Sequence, residues 1–170
     1  MRNILLLVIF LLPVSVSAQT PEENLLKLKI TLPAVPEAIG SYVDAVRVGN
    51  LLFLSGKGPR QANGEYIKGK LGAELTLEQG NAAARQTAIN QLAVLHKTLG
   101  SINKVKRILK VNGYVNSADT FADQPKVING FSDLMIAVFG EAGKHARTAI
   151  GTNSLPMNMA VEVEMIVEVE

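Results

Sequence analysis

Arg147 to Glu164 reads R-T-A-I-G-T-N-S-L-P-M-N-M-A-V-E-V-E, and M-I-V-E-V-E completes the chain at Glu170. From Val161 onward the order alternates. Val161, Val163, Met165, Val167 and Val169 share one side of an extended strand, and Glu162, Glu164, Glu168 and Glu170 share the other, because successive strand side chains point to opposite faces. Upstream, Arg147 starts a short apolar run that ends in Gly-Thr-Asn-Ser-Leu-Pro. A hairpin bending near Leu155 would set Arg147 opposite Glu162 within a residue or two, on the polar side of a sheet. Two readings follow from that expectation. One is a cross-strand ion pair among solvated glutamates; the other is a cation and a carboxylate arranged around a ligand.

A strand with one apolar face needs cover, and two upstream segments supply it. Thr76 and Gln79 form a capping-box pair ahead of a helix whose stripe is Ala84, Ala88, Leu92, Leu95 and Leu99, with Gly100 as the stop. A second helix is expected with Asp123 as cap, Pro125 in its first turn, and Val127, Phe131, Leu134 or Met135, and Val138 inside; Gly140 ends it. Strands are expected at Tyr42–Val48 and Leu51–Ser55 around a Gly49-Asn50 turn, at Lys106–Asn116, and as a short piece at Glu65–Ile67. Residues 19–33 form a proline-punctuated arm with a short helix around Glu22–Leu28. The order β-β-(β)-α-β-α-β-β lets both helices cover one side of a single sheet and leaves the glutamate side open, which marks an interface or a site.

The chain opens M-R-N-I-L-L-L-V-I-F-L-L-P-V-S-V-S-A-Q. One cation, an apolar run from Ile4 to Leu12 and a small-residue ending describe a secretory signal peptide over residues 1–18, cleaved after Ala18. The run stops at Pro13, short of the ~20 residues of a membrane span. The expected product is an exported, periplasmic or secreted domain. Losing Arg2 takes the formal charge of +2 to +1, so electrostatics offer no case for a nucleic-acid partner. The chain contains no cysteine, which removes disulfides and thiol chemistry.

Few residues remain for chemistry. His96 and His145 are the two histidines, and neither has metal-ligand spacing from another histidine or a paired carboxylate, so no metal is expected. Ser55 has no histidine near it in sequence to form a triad. In S-G-K-G-P (Ser55 to Pro59) a phosphate loop fails, because Leu51 stands where its first glycine belongs. Lys104, Lys106, Arg107 and Lys110 read as a solvated edge. Arg147, Glu162 and Tyr42 stand out. An arginine can grip a small carboxylate through two parallel hydrogen bonds, and a nearby carboxylate can activate water against a carbon held by that grip.

Several motifs in register resemble the RidA/YjgF family of reactive-intermediate deaminases. They are A-I-G-S-Y-V (Ala38–Val43), L-S-G-K-G-P (Leu54–Pro59), V-N-S-A-D-T-F (Val115–Phe121), V-I-N-G-F (Val127–Phe131), A-R-T-A (Ala146–Ala149), Leu155-Pro156 and V-E-V-E (Val161–Glu164). The resemblance covers residues 34–170. It implies an α+β chorismate-mutase-like fold, one mixed sheet with two helices on one face, assembled as a homotrimer with clefts between subunits. It maps the carboxylate-binding arginine onto Arg147 and the water-positioning glutamate onto Glu162. Tyr42, Ser55, Gly56 and Asn129 become pocket positions, and the Ala149 backbone N–H an aid to Arg147. The implied activity is cofactor-free hydrolysis of small carboxylate-bearing imines or enamines to 2-oxo acids and ammonia. A non-catalytic carboxylate binder is the alternative; an endoribonuclease is disfavoured by neutral charge, export and the lack of a histidine pair. His145 departs from the better-known members, which carry proline there, and the Gln61–Leu75 loop is longer, as in the branch labelled endoribonuclease-like.

Overall fold

The computed structural model describes residues 19–37 and 40–170. The expected leader, and Ala38 and Ile39 of the Ala38–Val43 motif, lie outside the described residues. Elements run in the order α1 (Pro21–Lys27), β1 (Ala45–Val48), β2 (Leu51–Lys57), α2 (Leu77–Leu99), β3 (Val105–Asn116), α3 (Gln124–Phe139), β4 (Ala146–Thr152) and β5 (Val161–Val169). The strands form one sheet ordered β1-β2-β5-β3-β4. β3 and β4 are parallel, and the other neighbouring pairs antiparallel, which makes the sheet mixed.

The helix signals translate into geometry. The Gln79 N–H donates to Thr76 Oγ1 (3.3 Å) and the Thr76 N–H to Gln79 Oε1 (2.8 Å), satisfying two otherwise orphaned donors. Gly100 ends α2 at φ 78°, a conformation glycine takes without strain. The stripe Ala84, Ala88, Leu92 and Leu95 is fully buried, as are Val127, Phe131, Met135 and Val138 of α3, and both pack against Val161, Val163 and Val167 of β5. α2 and α3 therefore cover one face. On the other, Val46, Phe53 and Ile150 are 52%, 41% and 47% exposed. α1 has a capping box of its own, Thr20 with Glu23, and Gly49 (φ 60°) closes the β1–β2 hairpin at the Val48–Leu51 pair.

Three expectations change. Asp123 precedes α3 without making a side-chain cap; its carboxylate instead pairs with Lys126 at 2.9 Å. Residues Glu65–Ile67 contribute a single isolated bridge, Tyr66 to Arg60, and no strand. The largest correction concerns the closing hairpin, because β4 and β5 do not pair. β3 lies between them, with Val111 beside Arg147 and Tyr114 beside Glu162. The end of β3 enters the expected turn: the Ser117 N–H donates to Thr152 O and the Asn116 N–H to Ala160 O, both at 3.0 Å. The Gly-Thr-Asn-Ser-Leu-Pro segment is thus a bridge across a strand end. Its backbone is redirected by Met157 (φ 54°) and Asn158 (φ 55°), and the Asn116 amide donates to Asn158 Oδ1 at 2.9 Å.

α2 and α3 approach closely at Gly130, where a Cβ would run into the Asn81 backbone carbonyl. Gly130→Ala is expected to lower stability by about 1–3 kcal/mol through overpacking. Asp123→Ala should cost well under the roughly 1 kcal/mol of a working cap. Urea denaturation of both variants checks the contrast; equal losses would contradict it.

Candidate functional site

Glu162 reaches the open side of β5 where β2 loses register between Leu54 and Lys57. A Cβ on Gly56 would collide with its carboxylate, so the bare backbone there makes room for Glu162. Tyr42, Ser55, Gly56 and Glu162 line one cavity of about 560 Å³, which joins four of the residues expected from the sequence. The Ser55 hydroxyl donates to Val43 O at 2.7 Å. The Lys57 ammonium lies 2.6 Å from Asp44 Oδ1 and 5.9 Å from the Tyr42 ring centre. Burial opposes the Asp44 charge, but the Lys57 and Lys97 ammonium groups outweigh it and hold the carboxyl below its ordinary value. Glu162 moves the other way. Burial first, then the Glu164 carboxylate, push its pKa up against the pull of Lys57. Glu164 accepts hydrogen bonds from the Asn112 amide (3.0 Å) and the Tyr114 hydroxyl (3.2 Å).

Three amides on α2 hold the segment that carries this cavity. Gln91 Nε2 donates to Ser55 O (3.0 Å) and Val163 O (2.7 Å), joining β2 to β5 where their ladder is interrupted. Asn90 Nδ2 donates to Gly58 O (2.9 Å) and Arg60 O (3.0 Å), and Gln86 Nε2 to Arg60 O (2.9 Å). Side-chain donors thus replace backbone donors lost at a bulge. The apolar-stripe reading passed over these residues, although the i, i+4 spacing of Gln86 and Asn90 places them on one helix face.

Arg147 sits in a separate cluster. It points to the helix side of β4, not to the polar side of the sheet as the hairpin would have required. Its Nη1 donates to Asn129 Oδ1 and to Ser132 Oγ, each at 3.0 Å, and its Nη2 to Pro125 O at 3.2 Å. Among the described residues these contacts use three of the five guanidinium N–H groups, and two remain without an assigned acceptor. Ala149 follows two residues on along β4 and packs against the core. Behind the arginine, Ser132 Oγ lies 3.0 Å from His145 Nε2, and His145 Nδ1 lies 2.6 Å from Gly143 O. A carbonyl only accepts, so Nδ1 carries the proton, Nε2 accepts from the Ser132 hydroxyl, and that oxygen accepts from Arg147. Burial, followed by the nearby Arg147 charge, keeps His145 below its ordinary value against the Gly143 hydrogen bond. Ser132 was not singled out from sequence, because its histidine partner is thirteen residues away across α3 and the turn after it.

Within one chain Arg147 and Glu162 cannot meet. β3 separates their strands, so they stand roughly 10 Å apart across the sheet. Arg147 is level with Val111 and Glu162 with Tyr114, a further ~10 Å along the strands. They also face opposite sides. The described residues contain no group of three or more His, Asp or Glu side chains placed to hold a metal ion.

Residues 22–169 match the family profile described as "YjgF/chorismate mutase-like, putative endoribonuclease". The chain is 44% identical to Protein TCP17 of Trypanosoma cruzi, across 85% of this chain and 91% of that protein. It is 32% identical to a 2-iminobutanoate/2-iminopropanoate deaminase of Dermatophagoides farinae, across 83% and 95%. A solved Shewanella oneidensis structure carrying the endoribonuclease description superposes with a TM-score of 0.85 at 34% identity, covering 89% of this chain and all of that one.

The His145 contacts have a consequence for acid stability. Its folded-state pKa lies below the ordinary 6.5, so the unfolded chain takes up its proton first as pH falls. The stability contributed by neutral His145 is complete above about pH 6.5 and is lost as pH drops through the folded value. Denaturation series from pH 7.5 to 5 should show a steeper loss for the wild type than for His145→Gln. Parallel curves would contradict it.

Proposed function

The chain belongs to the YjgF/chorismate-mutase-like family, and we propose that it hydrolyses small carboxylate-bearing imines or enamines in a cleft between subunits. The observation carrying this reading is the division of labour between the two clusters. Arg147 keeps two N–H groups for a carboxylate, and the ammonium whose charge acts on Glu162, that of Lys57, is already paired with Asp44. One chain holds them too far apart for one small substrate. A homotrimer that brings Arg147 of one copy to Glu162 of the next supplies both, and the exposed Val46, Phe53 and Ile150 on the open sheet face favour such burial. The deaminase name of the Dermatophagoides farinae relative supports the same chemistry.

The reaction needs little equipment. Arg147 grips the carboxylate of R–C(=NH)–COO⁻ through two charge-assisted hydrogen bonds. Ionised Glu162 accepts a proton from water as the water oxygen bonds to the imine carbon. The nitrogen takes the proton that Glu162 holds, giving the neutral aminoalcohol R–C(OH)(NH2)–COO⁻; the hydroxyl proton then passes to nitrogen through the freed Glu162 carboxylate, the C–N bond breaks, and ammonia and R–C(=O)–COO⁻ remain. Burial and Glu164 raise the Glu162 pKa, which brings its basicity closer to working pH and makes it a better base than a free carboxylate. Turnover should therefore fall as pH drops through that raised value, at a higher pH than an ordinary glutamate would set.

Arg147→Ala is expected to remove binding of 2-oxo acids, a loss of about 2–5 kcal/mol. Glu162→Gln should retain binding while hydrolysis of imines generated by an amino-acid oxidase drops about 10²-fold or more. Equal hydrolysis by wild type and both variants would refute the deaminase reading. Loss of binding in Arg147→Ala with no wild-type turnover would leave a carboxylate-binding protein.

A further inference from the structure

The cavity beside Glu162 is larger than the imine head requires. The C(=NH)COO⁻ group has about five heavy atoms, the room of a few waters at about 30 Å³ each. The cavity holds about 560 Å³, which is within the span of roughly 300–1,000 Å³ typical of sites that enclose whole ligands. Away from Glu162 its wall includes Val35, Tyr66, Ala93, Val94, Met157 and Met159. These come from the segment between the N-terminal arm and β1, the Gln61–Leu75 loop, α2 and the bridge before β5.

Several polar side chains in the same wall are already engaged. Both Asn90 amide hydrogens go to Gly58 O and Arg60 O, the Ser55 hydroxyl goes to Val43 O, and Lys57 holds Asp44. A ligand entering beyond Glu162 therefore meets a mainly apolar surface, whose remaining polar groups are the Tyr42 and Tyr66 hydroxyls, the outlying Glu37, and Arg60, the lining cation to which no ion pair is assigned among the described residues. Methionines at two of the wall positions suit side chains of varied shape, because the thioether is flexible and contacts aromatic rings favourably.

We infer that the substrate's variable group is a long, branched or aromatic apolar side chain, as in imines of leucine, methionine or phenylalanine, seated against Ala93, Val94, Tyr66 and Met159. This rests on the reading of the Glu162 cavity as the imine site and names its substrate class. Each methylene placed in an apolar pocket is worth about tenfold or more in discrimination. kcat/KM for the leucine- and phenylalanine-derived imines should thus exceed that for the alanine-derived imine by at least about tenfold.

The test pairs turnover with binding. Imines are generated from alanine, leucine, methionine, phenylalanine and glutamate by amino-acid oxidases, and calorimetry follows pyruvate, 4-methyl-2-oxopentanoate, phenylpyruvate and 2-oxoglutarate on the intact assembly. The apolar oxo acids should bind at least about tenfold tighter than pyruvate. Ala93→Leu, which narrows the cavity from α2, should lower the leucine-to-alanine preference; Met157→Ala, at a half-exposed position, gives a second reading of the wall if the first variant fails to fold. Equal or stronger binding of pyruvate overturns the inference. Preference for the glutamate imine or 2-oxoglutarate also overturns it, assigning specificity to Arg60. The predicted binding order without imine turnover would sink hydrolysis while upholding the apolar side-chain site. Absence of binding by every oxo acid would sink both.

Discussion

β3 hydrogen-bonds to β4 along one edge and β5 along the other, and the placement of both functional clusters follows from this sharing. A parallel β3–β4 pair cannot be joined by a tight turn, so α3 makes the crossover. That crossover brings Asn129 and Ser132 over Arg147 on the covered face. The antiparallel β3–β5 pair sends Glu162 and Glu164 to the open face beside Tyr114 and Asn112. A single strand thereby fixes an arginine and a glutamate of one chain out of each other's reach, and the proposed second copy answers that distance.

Each cluster is stiffened by side chains that need not touch a ligand. Gln86, Asn90 and Gln91 tie the Ser55–Arg60 segment to α2, and Gln91 itself is fully buried. Ser132 and His145 buttress the arginine. A carboxylate grip depends on angle as well as charge, so a guanidinium held at three donors is already oriented before a ligand arrives. The polar residues inside this otherwise apolar core are concentrated where backbone ladders are interrupted or where a side chain must be aimed.

Much of this was legible in the sequence because it is local. The Thr76–Gln79 capping box, the stripes of α2 and α3, and the alternation of β5 are set by residues within a few positions of one another, and they fold as read. Motifs quoted in register likewise named Glu162, Tyr42, Ser55 and Gly56, which the fold gathers around one cavity. The pairing of β4 was not legible. Gly151 to Pro156 has turn composition, and composition alone does not distinguish a tight hairpin from a bridge across another strand's end. Nor was the Ser132–His145 contact, since a hydrogen bond across a helix and a turn leaves no periodic trace. Asp123 shows the reverse limit: a residue type favoured at caps can turn its side chain elsewhere, here to Lys126.

The proposal that catalysis needs Arg147 from one copy and Glu162 from its neighbour is tested most directly by mixing two inactive variants. Arg147→Ala and Glu162→Gln chains would be co-expressed, isolated as mixed assemblies and assayed for imine hydrolysis. In a closed ring of three that contains both variants, about one cleft in three receives Arg147 from one chain and Glu162 from the other. The mixed preparation should therefore regain about a third of wild-type turnover. Turnover no higher than that of the separate variants, in assemblies shown to contain both chains, would contradict the account.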